Sequence, residues 1–357
     1  MKRPILTAVL GAGLALTAGS IAAQADTIRL AVGSGHPADA AVWVTSVRDY
    51  LVPEINKRVA ERTKHKIEWT TAYGGSVCKL GECLTSVKDG LLDVAVISAP
   101  FNPSQLLAHN FSYFVPFSSG DILTVARAAV KVYEQNPELA GILDKRYGQH
   151  HLSLSAIGNY GLLTTFAWKS LDDIKGKRLA AAGPNIPWVE AVGAVPVQSN
   201  LNEAYTSMQT GVYGGWVMFP DGVVGFKLHE VAKNYTQTDF GSQAVNLITV
   251  NKSTWQGLPA DVRDIFTEVG RDYIQAASQM AIDKEKRSLE TMKGTSTIRQ
   301  LTWEEKVAWA NTLPHIPKIR TEDIRKAGQP QNVVRDYIRA LKEAGVKMPR
   351  DWEVGLQ

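Results

Sequence analysis

Apolar and polar residues alternate through 27–32 (TIRLAV), and the alternation stops at Gly33-Ser34-Gly35-His36-Pro37. A period of two marks a half-buried strand, and the Gly/Pro cluster ends it. Residues 39–62 then carry apolar positions at helical spacing, and 66–72 (KIEWTTA) reads as a second strand. A loop at Gly74-Gly75-Ser76 leads into a helix that ends near Asp89-Gly90. Asp93 to Ser98 (DVAVIS) is almost continuously apolar, as in a strand covered on both faces. This strand–helix order predicts parallel pairing with right-handed crossovers.

A second α/β set begins near residue 152. Its strands are 152–157, 162–167, 178–182, 195–197, 214–219 and 244–250, with helices from about Pro187 and over 201–210. From Asp261 to about Lys293 the helical pattern is unbroken by proline. At 1.5 Å per residue such a helix runs roughly 50 Å, long enough to bridge two lobes. Thr302-x-x-Glu305 forms a capping box that opens a later helix. The expected architecture is α/β with two discontinuous lobes. Residues 26–151 plus 244–283 make the first, and 152–243 plus 284–357 the second.

Composition refines this picture. The chain has 357 residues, 45% hydrophobic and 21% charged, which is ordinary globular usage and longer than one core usually organises. Lys2 and Arg3 precede an apolar run from Ile5 to about Ala18, followed by Ala23-Gln24-Ala25. That pattern describes a secretory signal over 1–25, cut before Asp26. The run is too short to span a bilayer. The formal net charge of +4, less the two charges of Lys2 and Arg3, becomes +2. A nearly neutral chain gives no reason to expect nucleic acid. Cys78 and Cys83, five apart around Gly81, would meet an oxidising compartment and can bridge. Zinc is the competing reading, but two thiols without a nearby His or carboxylate cluster make an incomplete site.

Catalytic motifs are scarce. The mature chain has no G-x-S-x-G elbow, no G-x-x-x-x-G-K-[ST] loop and no G-x-G-x-x-G after a strand. His229-Glu230 runs on as HEVAK, without the second His of a zinc protease. His150-His151 precedes a strand and reads as a loop feature. No enzyme activity, metal or cofactor is expected.

Several strings together resemble the solute receptors of TRAP transporters, of the dicarboxylate-receptor (DctP-like) type. They are HP at 36–37, YGGSVCKLGECLTSVKDGLLDVAVIS at 73–98, YFVPF at 113–117, SLDDIKGKRLAAAG at 170–183, and VGAVPVQSNLNEAYTSMQTGVYGG at 192–215. GFKLHEVAKNYT at 225–236 and VNKSTWQGLPADVRDIF at 250–266 complete the series. The resemblance implies a two-lobed periplasmic receptor with a long helix across both lobes. It implies capture of a small organic anion and delivery to membrane permease subunits. A receptor for a sensor kinase and a secreted two-lobed enzyme are the alternatives.

In that family an Arg on the strand after the K-G segment holds the ligand carboxylate through a bidentate pair. Counting back from Gly193-Ala194 places it on Arg178, whereas counting forward from Lys175-Gly176 places it on Ala180. Arg178 is preferred because a charged residue with strand parity toward the cleft suits an anion. The family's Asp and Asn positions in the 214–219 strand hold Gly214 and Met218, which disfavours a metal-assisted mode. Trp188, Trp216, Met218 and Phe219 fall on two pocket elements, with Tyr73, Phe101 and Tyr160 on others. Ser34, Ser98 and Asn159 would supply neutral hydrogen bonds on the opposing rim. The ligand expected is an anion with one charged head and a sizeable apolar or aromatic body.

Overall fold

A computed structural model describes residues 27–356. The signal sequence expected over 1–25 lies outside them. Nine strands form one mixed sheet among the described residues: β1 (Thr27–Ser34), β2 (Lys66–Ala72), β3 (Val94–Ser98), β4 (Gln149–Thr164), β5 (Arg178–Ala181), β6 (Val195–Gln198), β7 (Gly215–Met218), β8 (Asn234–Asn251) and β9 (Thr297–Gln300). Their order is β2-β1-β3-β8-β4-β7-β5-β6, with β9 beside β8. β1 pairs in parallel with β2 and β3, as the strand–helix order requires, and β3 is buried along its whole length. The sheet as a whole is mixed, because β8 returns antiparallel to both β3 and β4.

β4 and β8 run through both lobes. They pair antiparallel from Gln149↔Asn251 to Thr164↔Asn234. Sequence pattern divides the first of these into strands at 152–157 and 162–167 and finds only the end of the second. The register slips between Ser155 and Ala156, between Ile157 and Tyr160, and between Tyr160 and Leu162. These bulges explain the apparent break: each inserts a residue that interrupts alternation, bends the strand and re-aims a side chain. On one side of them β1, β2 and β3 complete the first lobe. On the other, β5, β6, β7 and β9 complete the second.

The long helix is Ala260–Lys293, 34 residues. Its buried positions recur every three or four residues, from Val262, Ile265, Phe266 and Val269 to Ala277, Ala281, Ser288 and Met292. They pack on β4, on helix Pro220–Gly225 and on helix Ile122–Gln135. At Gly270 a Cβ would lie 2.8 Å from the Leu152 carbonyl oxygen, so helix and sheet meet at this distance only with glycine there. The capping box at the next helix, Trp303–Thr312, forms in both directions between Thr302 and Glu305.

The C-terminal helices depart from the expected boundary. The sequence reading places residues 284–357 wholly in the second lobe. Ile316–Lys326 and Val333–Glu343 instead pack on the first-lobe segments Ala108–Phe114 and Ile122–Gln135. The apolar face Val333, Val334, Tyr337, Ile338 and Leu341 is buried there. Cys78 and Cys83 form a disulfide.

Candidate ligand-binding site

The ends of β1, β3 and β7, the bulged middle of β4 and the crossing point of β8 converge between the lobes. They enclose a cavity of about 40 Å³. This is the carboxyl end of the parallel strands, where open α/β sheets place their ligands. A larger concavity of about 550 Å³ lies on the outer face, between Ile122–Gln135, β4 and the long helix. It is open to solvent and none of its lining residues belongs to the strand ends that converge between the lobes, so the interlobe cavity is the better candidate.

The walls are aromatic. The Phe219 ring meets Trp43 edge-on with centroids 5.8 Å apart and Tyr160 at 5.0 Å. Tyr113 and Tyr160 join their hydroxyls at 2.6 Å. Trp216, Met218 and Phe101 add apolar surface. Bulky rings in mutual edge contact make a rigid wall that gains from burying a flat or branched apolar group.

Polar groups are few and specific. The Trp43 Nε1–H donates to His36 Nδ1 at 3.3 Å. Nδ1 is therefore the acceptor of the ring, and the proton of the neutral imidazole sits on Nε2. His36 is only 2% exposed, and burial pushes its pKa down to about 3. Its Nε2 has no partner among the described residues. Asn246 accepts from Ser98 Oγ at 2.6 Å through Oδ1, which leaves Nδ2 as a buried, unpartnered donor. Ser98 and Asn246 stand opposite each other in the β3–β8 register, so the sheet itself aligns them. Asn200, the N-cap of helix Leu201–Gln209, is a further polar lining group. Among the described residues no Lys, Arg, Asp or Glu lines the cavity.

Six of the residues expected from sequence come together here: Ser98, Phe101, Tyr160, Trp216, Met218 and Phe219. Five do not. Arg178 is exposed at the first residue of β5. It shares strand parity with Ala182, which does line the cavity, but lies four residues earlier, roughly 13 Å along the strand. Arg178 thus has the parity of a cavity-lining position but stands at the opposite end of the strand. Ala180, the other position reached by counting, is buried beside Trp216 and carries no charge. Trp188 is wholly buried behind the wall, donating to the Tyr113 carbonyl at 3.2 Å and accepting from Trp309 Nε1 at 2.8 Å. Ser34 accepts from the His36 backbone N–H and so shapes the loop from behind. Tyr73 lies outside the cavity, its hydroxyl pushed up to about 12 by burial. Asn159 is spent on structure, donating to Asp239 at 2.7 Å and accepting from Gly241 N–H.

His36, Trp43, Tyr113, Asn200 and Asn246 were not singled out as ligand contacts. Two of them carried a signal. His36 directly follows a strand whose carboxyl end faces the cleft, and Asn246 interrupts an otherwise apolar strand (AVNLITV), where a buried amide needs a partner. Trp43 and Tyr113 sit in helical turns with no pattern to separate them from core.

Residues 47–319 match the model of bacterial extracellular solute-binding protein family 7 (DctP). The C4-dicarboxylate-binding periplasmic protein DctP of Rhodobacter capsulatus is 34% identical over 146 residues, 40% of this chain and 44% of that protein. A solute-binding protein of Albidiferax ferrireducens is 24% identical over 240 residues, 66% of this chain and 69% of the relative. The chain thus aligns with less than half the length of the DctP relative. Among solved structures, a TRAP periplasmic solute binding protein from Bordetella bronchiseptica with bound (R)- and (S)-mandelate superposes with a TM-score of 0.76 at 21% identity, over 89% of this chain and 99% of that one. A TRAP solute binding protein from Rhodoferax ferrireducens with copurified benzoate gives 0.76 at 15% identity, over 89% and 98%. With a two-lobed fold, a closed interlobe cavity and a family match over most of its length, this chain belongs to bacterial extracellular solute-binding protein family 7, a family of receptors rather than enzymes.

Proposed function

We propose that the protein is the periplasmic receptor of a TRAP transporter, exported by residues 1–25, and that it captures a compact organic acid with an apolar or aromatic body for delivery to the membrane permease. The observation that carries this reading is the interlobe cavity itself. It is walled by Trp43, Tyr160, Trp216, Met218 and Phe219, offers unpartnered N–H donors, and has no acidic lining group to repel an anion. No helix of the described residues is long and apolar enough to cross a membrane, which fits a receptor working beside a separate permease. The mandelate and benzoate receptors of the same fold bind acids of this shape, in line with the aromatic walls.

The ligand meets one lobe and draws the other over it. Closure expels water, so each donor acts in a drier medium. Binding to the folded state raises apparent stability by mass action. Thermal-shift measurement over benzoate, mandelate, pyroglutamate and succinate therefore tests the proposal. An aromatic or apolar monocarboxylate should raise the Tm most. Stabilisation by succinate alone would overturn it.

A further inference from the structure

Resting on the cavity as the ligand site, we infer that His36 Nε2–H and Asn246 Nδ2–H form an uncharged clamp for the ligand's carboxylate, which sets specificity in place of a cationic side chain. Both atoms are buried in groups that are 2% exposed, both line the one cavity, and both lack a partner. A buried donor left unpaired costs free energy, so a ligand that supplies oxygen acceptors recovers it on binding. Their direction is also determined by the fold. Trp43 occupies Nδ1 of the histidine, and Ser98 occupies Oδ1 of the asparagine, so each residue can present only its N–H.

The surroundings keep the clamp neutral. The His36 ring meets the rings of Trp43, Phe101 and Phe226. Tyr113 and Tyr160 are the other titratable groups lining the cavity, and burial raises both far above their ordinary value. On the elements packed nearby, Asp221 of Pro220–Gly225 and Glu285 of the long helix sit against Gly158, Glu285 accepting from the Asn159 N–H, and neither lines the cavity. Glu203 is turned to Ser199 and Asn200. Among the described residues no protein carboxylate lines the cavity, so in the free protein burial alone governs the imidazole and keeps it neutral, and the head group meets dipoles. The same absence selects against an α-ammonium group, which would be buried without an acceptor charge. The site thus distinguishes a hydroxy or simple acid from the matching amino acid.

Calorimetry with benzoate, mandelate and phenylglycine as probes tests this. The wild type should bind benzoate or mandelate and reject phenylglycine, with affinity flat between pH 6 and 8. His36→Phe and Asn246→Leu should each lose roughly tenfold or more, as expected for a hydrogen bond to a charged group, and His36→Gln should recover part of the loss. Near-wild-type affinity in both removal variants, equal binding of phenylglycine, or a tenfold weakening per pH unit across that range would overturn the clamp while leaving the receptor reading standing. The pH profile and the amino-acid comparison use the wild type, so they decide the matter even if a variant fails to fold. Failure of every carboxylate to bind the wild type would overturn the receptor reading and the clamp together.

Discussion

His36 and Arg178 show how differently two basic side chains act once their surroundings are set. Arg178 is the more obvious anion ligand by chemistry, but it stands in solvent at the amino end of β5, where an anion gains little over water. His36 is chemically weaker, yet it is buried with its proton position determined by Trp43. Arg178→Ala should therefore leave ligand affinity within about twofold and stability within about 0.5 kcal/mol, as for most surface substitutions. Titration calorimetry and urea unfolding would measure both, and a sharp loss of affinity would return the anion to Arg178. Glycine acts at the same scale. At Gly35 a Cβ would lie 2.7 Å from the Leu80 backbone nitrogen, so the loop that carries His36 can lie against its neighbour only without a side chain.

That neighbour belongs to an element with a covalent brace. Leu80 lies inside the loop closed by the Cys78–Cys83 disulfide, which leads directly into helix Cys83–Lys88. The brace thus supports the loop bearing His36 from behind, and Gly81 lies against the Phe101 carbonyl on the cavity rim. A short closed loop is worth about 2 kcal/mol through the entropy it removes from the unfolded chain. Replacing both cysteines with serine should cost about that much in denaturant unfolding and also weaken ligand binding. Unchanged stability would show that packing alone holds the loop. The bulges of β4 are the other element-scale device. Alternation could not continue through them, yet they bring Ile157 and Tyr160 to the cavity from one strand.

At the scale of the whole molecule, the lobes touch around Ala40. Lys284 of the long helix donates to the Ala40 carbonyl at 2.9 Å, and a Cβ on Gly225 of the second lobe would lie 2.4 Å from the same oxygen. Gly225→Ala should hold the lobes apart, leaving the fold intact while weakening the ligand. X-ray scattering would then show a larger radius of gyration that added ligand does not reduce, whereas a wild-type response would remove this contact from closure. Behind it, Asp221 is fully buried with neither carboxylate oxygen partnered, and burial pushes its pKa up to about 7. The folded state therefore keeps a proton that the unfolded chain, near 3.8, has already released. Its contribution is fully present below about pH 3.8 and is lost as pH rises through 7, at up to about 1.4 kcal/mol per pH unit. Buried His36, His109 and His151 give the opposite slope below 6.5, so the comparison with Asp221→Asn isolates the acid. That variant should gain stability over the wild type as pH is raised from 5 to 8, and a constant difference would refute the buried acid.

Much of this protein is written locally. The strands β1 to β3, the uninterrupted 34-residue helix and the capping box at Thr302 follow from period, proline placement and short-range hydrogen bonding, which depend on residues a few positions apart. The aromatic character of the cleft was legible for the same reason, since Trp216 and Met218 share a face of one strand. Position along a strand, unlike parity, depends on where other strands end. Only the folded sheet could therefore show that Arg178 stands at the end of β5 away from the cavity and that residues 316–343 pack on the first lobe. The direction of the two donors was beyond sequence for a further reason. His36 and Asn246 are 210 positions apart, and each acquires its direction from a partner, Trp43 or Ser98, that tertiary packing alone brings to it.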